Sequence, residues 1–338
     1  MDIVIIPSLN PNEKLIKIIN ELLDNKIKNI IVVDDGSDSK EIFNKLSKDV
    51  LVLHHKENRG KGAAIKTAVK YASENFKHIN GYIFMDSDGQ HSTKDVIRAI
   101  KEMNTQDSII FGVRDFSVPN VPKKSKWGNK ISSWYYKLLT GINMPDTQTG
   151  LRAIPYRYTK ILLNTQGDRY EYEMNFLNYI GLNHIPFKTI KINTIYEDNN
   201  SVSHFNAVKD SIRIFKEPLK YLIIALTSFI IDVLMFILYG NLVTSTFMAN
   251  VLARVTSGLY NYNMNKYWCF KSYQGSNQFL KYLILFITQM LISSTLVNLF
   301  SGNTLLVMIK MVIDLVIFTV NYFIQKKYIF KGATYEEI

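Results

Sequence analysis

One cysteine, Cys269, stands in 338 residues, so no intrachain disulfide can brace the chain, which fits a reduced compartment. No block of five or six like charges occurs either: 40 Lys and Arg outweigh 29 Asp and Glu, for a net +11, but they are spread along the chain. The amino terminus, MDIVIIPSLN, lacks a basic segment, and Pro7 breaks its apolar run, so it does not read as a secretory signal. Long apolar runs are missing from residues 1 to about 215 and dominate from about 219 onward, a split hidden by a mean hydropathy near zero. That split predicts two domains. Beside apolar spans, the basic balance points to an anionic lipid surface rather than to nucleic acid.

In the first half, short β-branched runs alternate with helical patterns. Strands are expected at 2–8, 29–35, 50–55, 81–86 and 108–112, and helices at 12–24, 61–76 and 93–104. Continuous apolar strands alternating with helices predict a mostly parallel α/β sheet covered on both faces, with ligands at the carboxyl ends of the strands. The polar chemistry falls at those ends: Pro7-Ser8, Asp34-Asp35 and Asp86-Ser87-Asp88. Two carboxylates two residues apart at a strand end can turn toward one hard cation, with Gln90 and His91 close behind. Alone, such a pair is as readily a solvated turn. NRGKGAA (58–64) opens a helix with two glycines and two cations, a start that suits an anion, although its spacing is not that of a Walker A loop.

IPSLN (6–10), VVDDGSD (32–38), NRGKGAA and MDSDGQH (85–91), in this order, resemble glycosyltransferase family 2 with its GT-A, Rossmann-like fold. GVR (112–114), DTQTGLRAIP (146–155) and YEYEM (170–174) resemble its polyprenyl-phosphate branch, the dolichyl-phosphate mannose synthases and bactoprenol glucosyltransferases. The resemblance implies that Pro7, Ser8 and Asn10 line the nucleotide pocket with Lys61 and Ser87. Asp34 or Asp35 would hydrogen-bond the base. Asp86, Asp88 and Gln90 would hold Mg²⁺ or Mn²⁺ on the donor diphosphate. Arg114 would bind the acceptor phosphate, with Lys124 and Lys126 where a second cation is expected; a lysine there lacks the guanidinium fork. SVSHF (201–205) makes Ser203 and His204 further candidates near the diphosphate. One departure from the family pattern is Pro11, which stands where many members carry an acidic residue.

The implied reaction is a single inverting displacement that carries a hexose, with UDP-glucose the favoured donor, to undecaprenyl phosphate for cell-envelope glycosylation. A phosphate monoester with a second pKa of about 6 is largely dianionic at neutral pH, so it needs holding and aiming by Arg114 and Lys126 rather than a base; Asp88, through the metal, is the third candidate catalytic residue. Glu171 and Glu173 would serve as base or acceptor-positioning groups if the acceptor were instead a lipid hydroxyl.

In the second half, four apolar stretches at about 220–240, 243–263, 279–300 and 304–325 each have the length of a membrane span. Lys266, Lys271 and Lys281 lie between the second and third, and Lys326, Lys327 and Lys331 follow the fourth. The other two connections carry neither Lys nor Arg, which predicts a multi-pass protein of the cytoplasmic membrane with the catalytic domain and both termini cytoplasmic. NYNMNKYWCF (261–270) and NYFIQKKYIF (321–330) align without gaps, so the domain reads as a duplicated hairpin. It resembles the GtrA-like four-span proteins. Asp232, Arg254, Lys310 and Asp314 fall within spans, and Arg254 is expected to pair with Asp232 or Asp314. Domains are therefore expected at 1–202, at 203–218 as an amphipathic helix on the membrane surface, and at 219–331 as the transmembrane domain. A membrane domain that assists translocation of the lipid-linked sugar is the alternative from another class, and association through it into a homo-oligomer is left open.

Overall fold

The computed structural model describes residues 1–116, 121, 123–193, 216–242, 246–272, 277–300 and 305–330. They fall into two compact units, one within residues 1–213 and one within 214–337.

A seven-stranded sheet organises the first unit: β1 (Asp2–Ser8), β2 (Ile30–Asp34), β3 (Leu51–His54), β4 (Gly81–Phe84), β5 (Ile109–Arg114), β6 (Arg152–Pro155) and β7 (Phe187–Ile192). Their order is β3-β2-β1-β4-β6-β5-β7. Neighbours run parallel except at β6, which is antiparallel to both β4 and β5. Around the sheet lie α1 (Glu13–Asp24), α2 (Glu41–Asn44), α3 (Lys61–Asn75), α4 (Thr93–Gln106), α5 (Lys123–Thr140), α6 (Thr159–Asn164) and α7 (Glu171–Leu182). The unbroken Ile and Val of β1 and β2 are buried because helices cover both faces. Local chemistry sets the helix starts. Asn12 accepts from the Lys14 amide to open α1, which turns Leu15, Ile18, Ile19 and Leu22 inward. Ser92 accepts from the Asp95 amide and donates to its carboxylate to open α4.

The structure departs from the sequence reading mainly after β5, which continues to Arg114. β6, β7 and α5–α7 were not delimited from the sequence. β6 is only four residues long and antiparallel, so neither length nor alternation marks it. α5 carries an unusual face: Trp127, Ile131, Trp134 and Leu138 recur at helical spacing yet stay exposed, the two tryptophans at 62% and 57%. Lys126, Lys130 and Lys137 lie beside that stripe, with the Lys130 ammonium 5.2 Å above the Trp127 ring.

The second unit is helical: α8 (Lys216–Leu242), α9 (Thr246–Asn263), α10 (Gln278–Leu299) and α11 (Leu306–Ile324). α9 and α11 each run into a π-helical turn, Met264–Cys269 and Gln325–Ile329. Among the described residues, one helix, α8, is long and apolar enough by length and composition to cross a membrane. α9 carries amides and hydroxyls that turn toward α8: Tyr260 donates to Thr227 at 3.0 Å, Asn261 to Ser228 at 2.9 Å and Ser257 to Asp232 at 3.0 Å. Arg254 stands 3.6 Å from Asp232, one of its two expected partners. The side chains of Lys310 and Asp314 lie outside the described residues. Outward, Phe229, Ile230, Leu242, Leu299 and Leu315 are more than half exposed, an apolar surface suited to lipid rather than water.

Candidate active site

The carboxyl edge of β1, β2 and β4 brings the candidate residues together, and the side chains divide into two kinds. One kind holds the loops. Asp34 is fully buried and accepts from the Ser37 amide at 2.8 Å, from His54 Nδ1 at 2.7 Å and from the Lys40 ammonium. Burial works against its charge, but the bonds from His54, Lys40 and Ser37 outweigh it and lower its pKa from 3.8 to about 2. Asp35 accepts from the Arg59 amide at 2.9 Å, the Gly60 amide at 2.7 Å and His55 Nδ1 at 2.7 Å. The anion at the start of α3 is thus a carboxylate of the chain itself. Gly60 takes φ +105°, and a Cβ there would fall 2.4 Å from the Asp168 carbonyl oxygen, so its freedom serves a close approach of protein to protein. Asn10 likewise ties the end of β1 to the loop after β2, donating to Asp38 Oδ2 at 2.8 Å and accepting from the Asp38 amide at 2.9 Å.

The second kind clusters at the end of β4. Lys61, at the start of α3, reaches Asp86 Oδ1 at 2.6 Å and Glu173 Oε1 at 3.0 Å. His91 Nε2 lies 3.4 Å from the other oxygen of Asp86. Glu173 in turn lies 3.8 Å from the Arg152 guanidinium, which also donates to the Glu173 carbonyl at 2.9 Å and to Thr149 at 3.1 Å. A relay of alternating charge therefore runs Asp86, Lys61, Glu173, Arg152. Burial opposes the charge on Asp86, yet Lys61 and His91 hold its pKa far below the ordinary carboxylate value. Burial opposes the charge on the Lys61 ammonium too, but Asp86 and Glu173 push its pKa upward. Asp88 is pushed the other way, by burial and by the neighbouring Asp86 charge.

The DTQTG segment supports this cluster from below. The Asp146 carboxylate, fully buried, takes the fork of Arg114 at 2.7 and 2.9 Å. Asn129 on α5 donates to the Pro145 carbonyl at 2.6 Å and accepts from the Thr147 amide at 3.1 Å. Gly150 then passes directly beneath Asp86, where a Cβ would sit 2.0 Å from Oδ2.

Pro7 and Ser8 are buried at the end of β1, and the Ser8 hydroxyl has no hydrogen-bond partner among the described residues. Asp88 accepts from the Gln90 amide at 3.0 Å; Ser87 and Gln90 are half-buried beside it. Lys126 is exposed on α5, and the Lys124 side chain lies outside the described residues, as do Ser203, His204 and nearly all of the expected helix at 203–218. Glu171 accepts from the Asp168 and Arg169 amides at 3.2 and 3.3 Å, holding its own loop. The role of Arg152, and that of Gly150 beneath Asp86, escaped the sequence reading; both lie in a segment whose resemblance had marked it as a whole.

Two carboxylates with opposed pKa shifts, one of them lacking full compensation, suit a divalent cation. A group of three or more His, Cys, Asp or Glu side chains in ligating positions does not occur among the described residues.

A model described as glycosyl transferase family 2 matches residues 3–160, and one described as the GtrA/DPMS transmembrane domain matches residues 220–330. An uncharacterized protein of Methanocaldococcus jannaschii is 30% identical over 218 residues, covering 63% of this chain and 89% of the relative. The chain belongs to glycosyltransferase family 2. This glycosyltransferase is also 30% identical over 216 residues to the UDP-N-acetylglucosamine–dolichyl-phosphate N-acetylglucosaminyltransferase of Methanococcus voltae, covering 55% of the chain and 84% of that enzyme. Among solved structures, glucosyl-3-phosphoglycerate synthase from Mycobacterium tuberculosis is similar at a TM-score of 0.47 and 13% identity, over 65% of this chain and 76% of that one. The glycosyltransferase is a membrane protein by its transmembrane-domain match and its apolar α8.

Proposed function

We propose that this glycosyltransferase transfers a hexose, by one inverting displacement, from a UDP-sugar to a polyprenyl phosphate at the cytoplasmic face of the membrane. The 30% identity to an enzyme named for a dolichyl-phosphate acceptor carries the reading. Its printed donor adds UDP-N-acetylglucosamine beside UDP-glucose as a candidate. The buried Ser8 hydroxyl and the Asp86–Asp88 pair face the donor side of the proposal. Asp86, Asp88 and Gln90 would hold Mg²⁺ or Mn²⁺, which when bound would offset charge on the leaving diphosphate. Arg114, aimed by the Asp146 carboxylate, would hold the acceptor phosphate, with Lys126 on α5 as a second cation. The acceptor brings its own negative charge, so Glu173, engaged with Lys61 and Arg152, is not needed as a base.

α5 gives the proposal a membrane-facing element. Its exposed Trp127, Ile131, Trp134 and Leu138 would enter the headgroup boundary while the flanking lysines meet anionic lipid. The four helices α8–α11 are read as four spans, with the lysines after α9 and α11 on the cytoplasmic side.

The test is transfer from a panel of radiolabelled UDP- and GDP-sugars to undecaprenyl and dolichyl phosphate, with Mg²⁺ or Mn²⁺, for wild type and Asp88→Ala. Transfer from one donor, lost in the variant, is the expected result. Transfer to a lipid alcohol but to neither lipid phosphate would overturn the acceptor assignment.

A further inference from the structure

The duplicated hairpin reappears in the structure as matched side-chain contacts in the two halves. α8 and α10 share Leu-Lys-Tyr-Leu-Ile at 219–223 and 280–284, so Tyr221 corresponds to Tyr282 and Glu217 to Gln278. In the other half of each hairpin, Tyr262 corresponds to Tyr322 and Lys266 to Lys326. The ring contacts repeat across this correspondence. Tyr221 packs on Tyr322 with centroids 5.3 Å apart at 62°, and Tyr282 packs on Tyr262 at 5.4 Å and 62°. The Tyr221–Phe270 and Tyr282–Phe330 distances are 6.1 and 6.3 Å. Phe270 and Phe330, themselves equivalents, stack on each other at 5.5 Å and 18°.

Beside these rings the two halves differ in charge. In one half, the Lys326 ammonium meets Glu217 Oε1 at 2.7 Å, and the Tyr322 hydroxyl donates to the same oxygen at 3.0 Å. Lys326 is buried there, its charge matched. In the other half the position of Glu217 is taken by the neutral Gln278, whose amide donates to Ser272 at 2.8 Å. The cation is kept. Lys266 has no carboxylate within ion-pair distance among the described residues, and its ammonium lies 5.7 and 5.1 Å from the rings of Tyr262 and Tyr267. One half therefore holds a neutral lysine–glutamate pair, and its counterpart holds a half-buried lysine with no anion.

We infer that Lys266 belongs to a binding site for a phosphate group, which occupies the place that the Glu217 carboxylate takes in the other half. Leu259 on α9 and Leu280, Leu283 and Ile284 on α10 are exposed. An apolar surface beside a half-buried cation favours a phosphate carried on a lipid chain over free phosphate. The site belongs to the membrane unit and requires none of the donor or acceptor assignments made for the catalytic unit.

The pseudo-symmetry supplies variants that should act in opposite directions. The full-length protein is purified in neutral detergent and dodecyl phosphate adducts are counted by native mass spectrometry, with apparent affinity read from a titration. Lys266→Gln should lose one adduct, or weaken it at least tenfold, relative to wild type. Gln278→Glu should lose the same adduct by building the internal ion pair, while keeping or raising the melting temperature. Glu217→Gln should gain an adduct, because it frees Lys326. Wild-type adduct number in both Lys266→Gln and Gln278→Glu would overturn the inference. Inorganic phosphate displacing dodecyl phosphate at equal concentration would overturn the lipid source.

Discussion

Gly150→Ala is the sharpest perturbation of the site, because it adds one methyl group beneath a single carboxylate. The new Cβ would lie 2.0 Å from Asp86 Oδ2, 2.6 Å from Cγ and 3.0 Å from Oδ1, whereas ordinary contact begins at 3.4 Å. All three atoms belong to a short side chain, so the carboxylate must move by about 1 Å or more, and it carries Lys61 with it. Displacement of a reacting constellation by about 1 Å costs roughly 100-fold in rate, or about 2.7 kcal/mol of barrier. Gly150 has no positive φ, so alanine fits its backbone and the fold should survive. The assay pairs kcat for sugar transfer with thermal melting and with calorimetric binding of UDP in Mn²⁺. The expected outcome is a 30- to 300-fold loss of kcat, as an order of magnitude, with melting changed by only a few degrees. A kcat within threefold of wild type would show that Asp86 is not positioned as argued.

Three other outcomes follow from the same contacts. The pKa of Asp34 is lower in the folded protein than the ordinary 3.8, so its stabilisation is present above pH 3.8 and lost as pH falls toward about 2. The difference is worth up to about 2 kcal/mol, less some screening because Lys40 and His54 are half exposed; Asp34→Asn should remove that acid-dependent loss in melting experiments. Lys61→Met removes the cation facing Asp86, so nucleotide-free Mn²⁺ binding, read by electron paramagnetic resonance, should tighten about tenfold, and unchanged affinity would count against a shared site. Replacing Trp127 and Trp134 by serine should weaken transfer to acceptor in vesicles roughly tenfold or more while leaving transfer to a short-chain, detergent-soluble acceptor near wild type.

The sheet was readable because strands buried on both faces must be apolar throughout, as β1 and β2 are, and because their ends then show abrupt polar chemistry. That is why Ser8, Asp34, Asp35 and Asp86 could be placed at one edge before any coordinates. What the sequence does not show is which groups a side chain spends itself on. Asp35 looks equally suited to a nucleotide base and to two backbone amides of the α3 loop, and spacing alone does not separate the two. The contact of Lys61 with Glu173 joins segments more than 100 residues apart, and Gly150 meets Asp86 only because antiparallel β6 follows it beside β4. In the membrane unit the aligned closing segments revealed the duplication. The difference between Glu217 and Gln278 carries meaning only beside the two tyrosine pairs, which occupy corresponding places in three dimensions.

The exchange of rings between hairpins has a consequence for how the chain is made. Tyr221 lies in the first hairpin, but its nearest tyrosine, Tyr322, lies about 100 residues downstream, and Glu217 waits for Lys326 across a similar interval. When synthesis has completed α8 and α9, Tyr221 has Phe270 beside it but not Tyr322, and Glu217 lacks Lys326. The first hairpin therefore completes its packing only when the second has been made. A chain truncated after Phe270 should then be cleared by quality-control proteolysis even though its helices are complete.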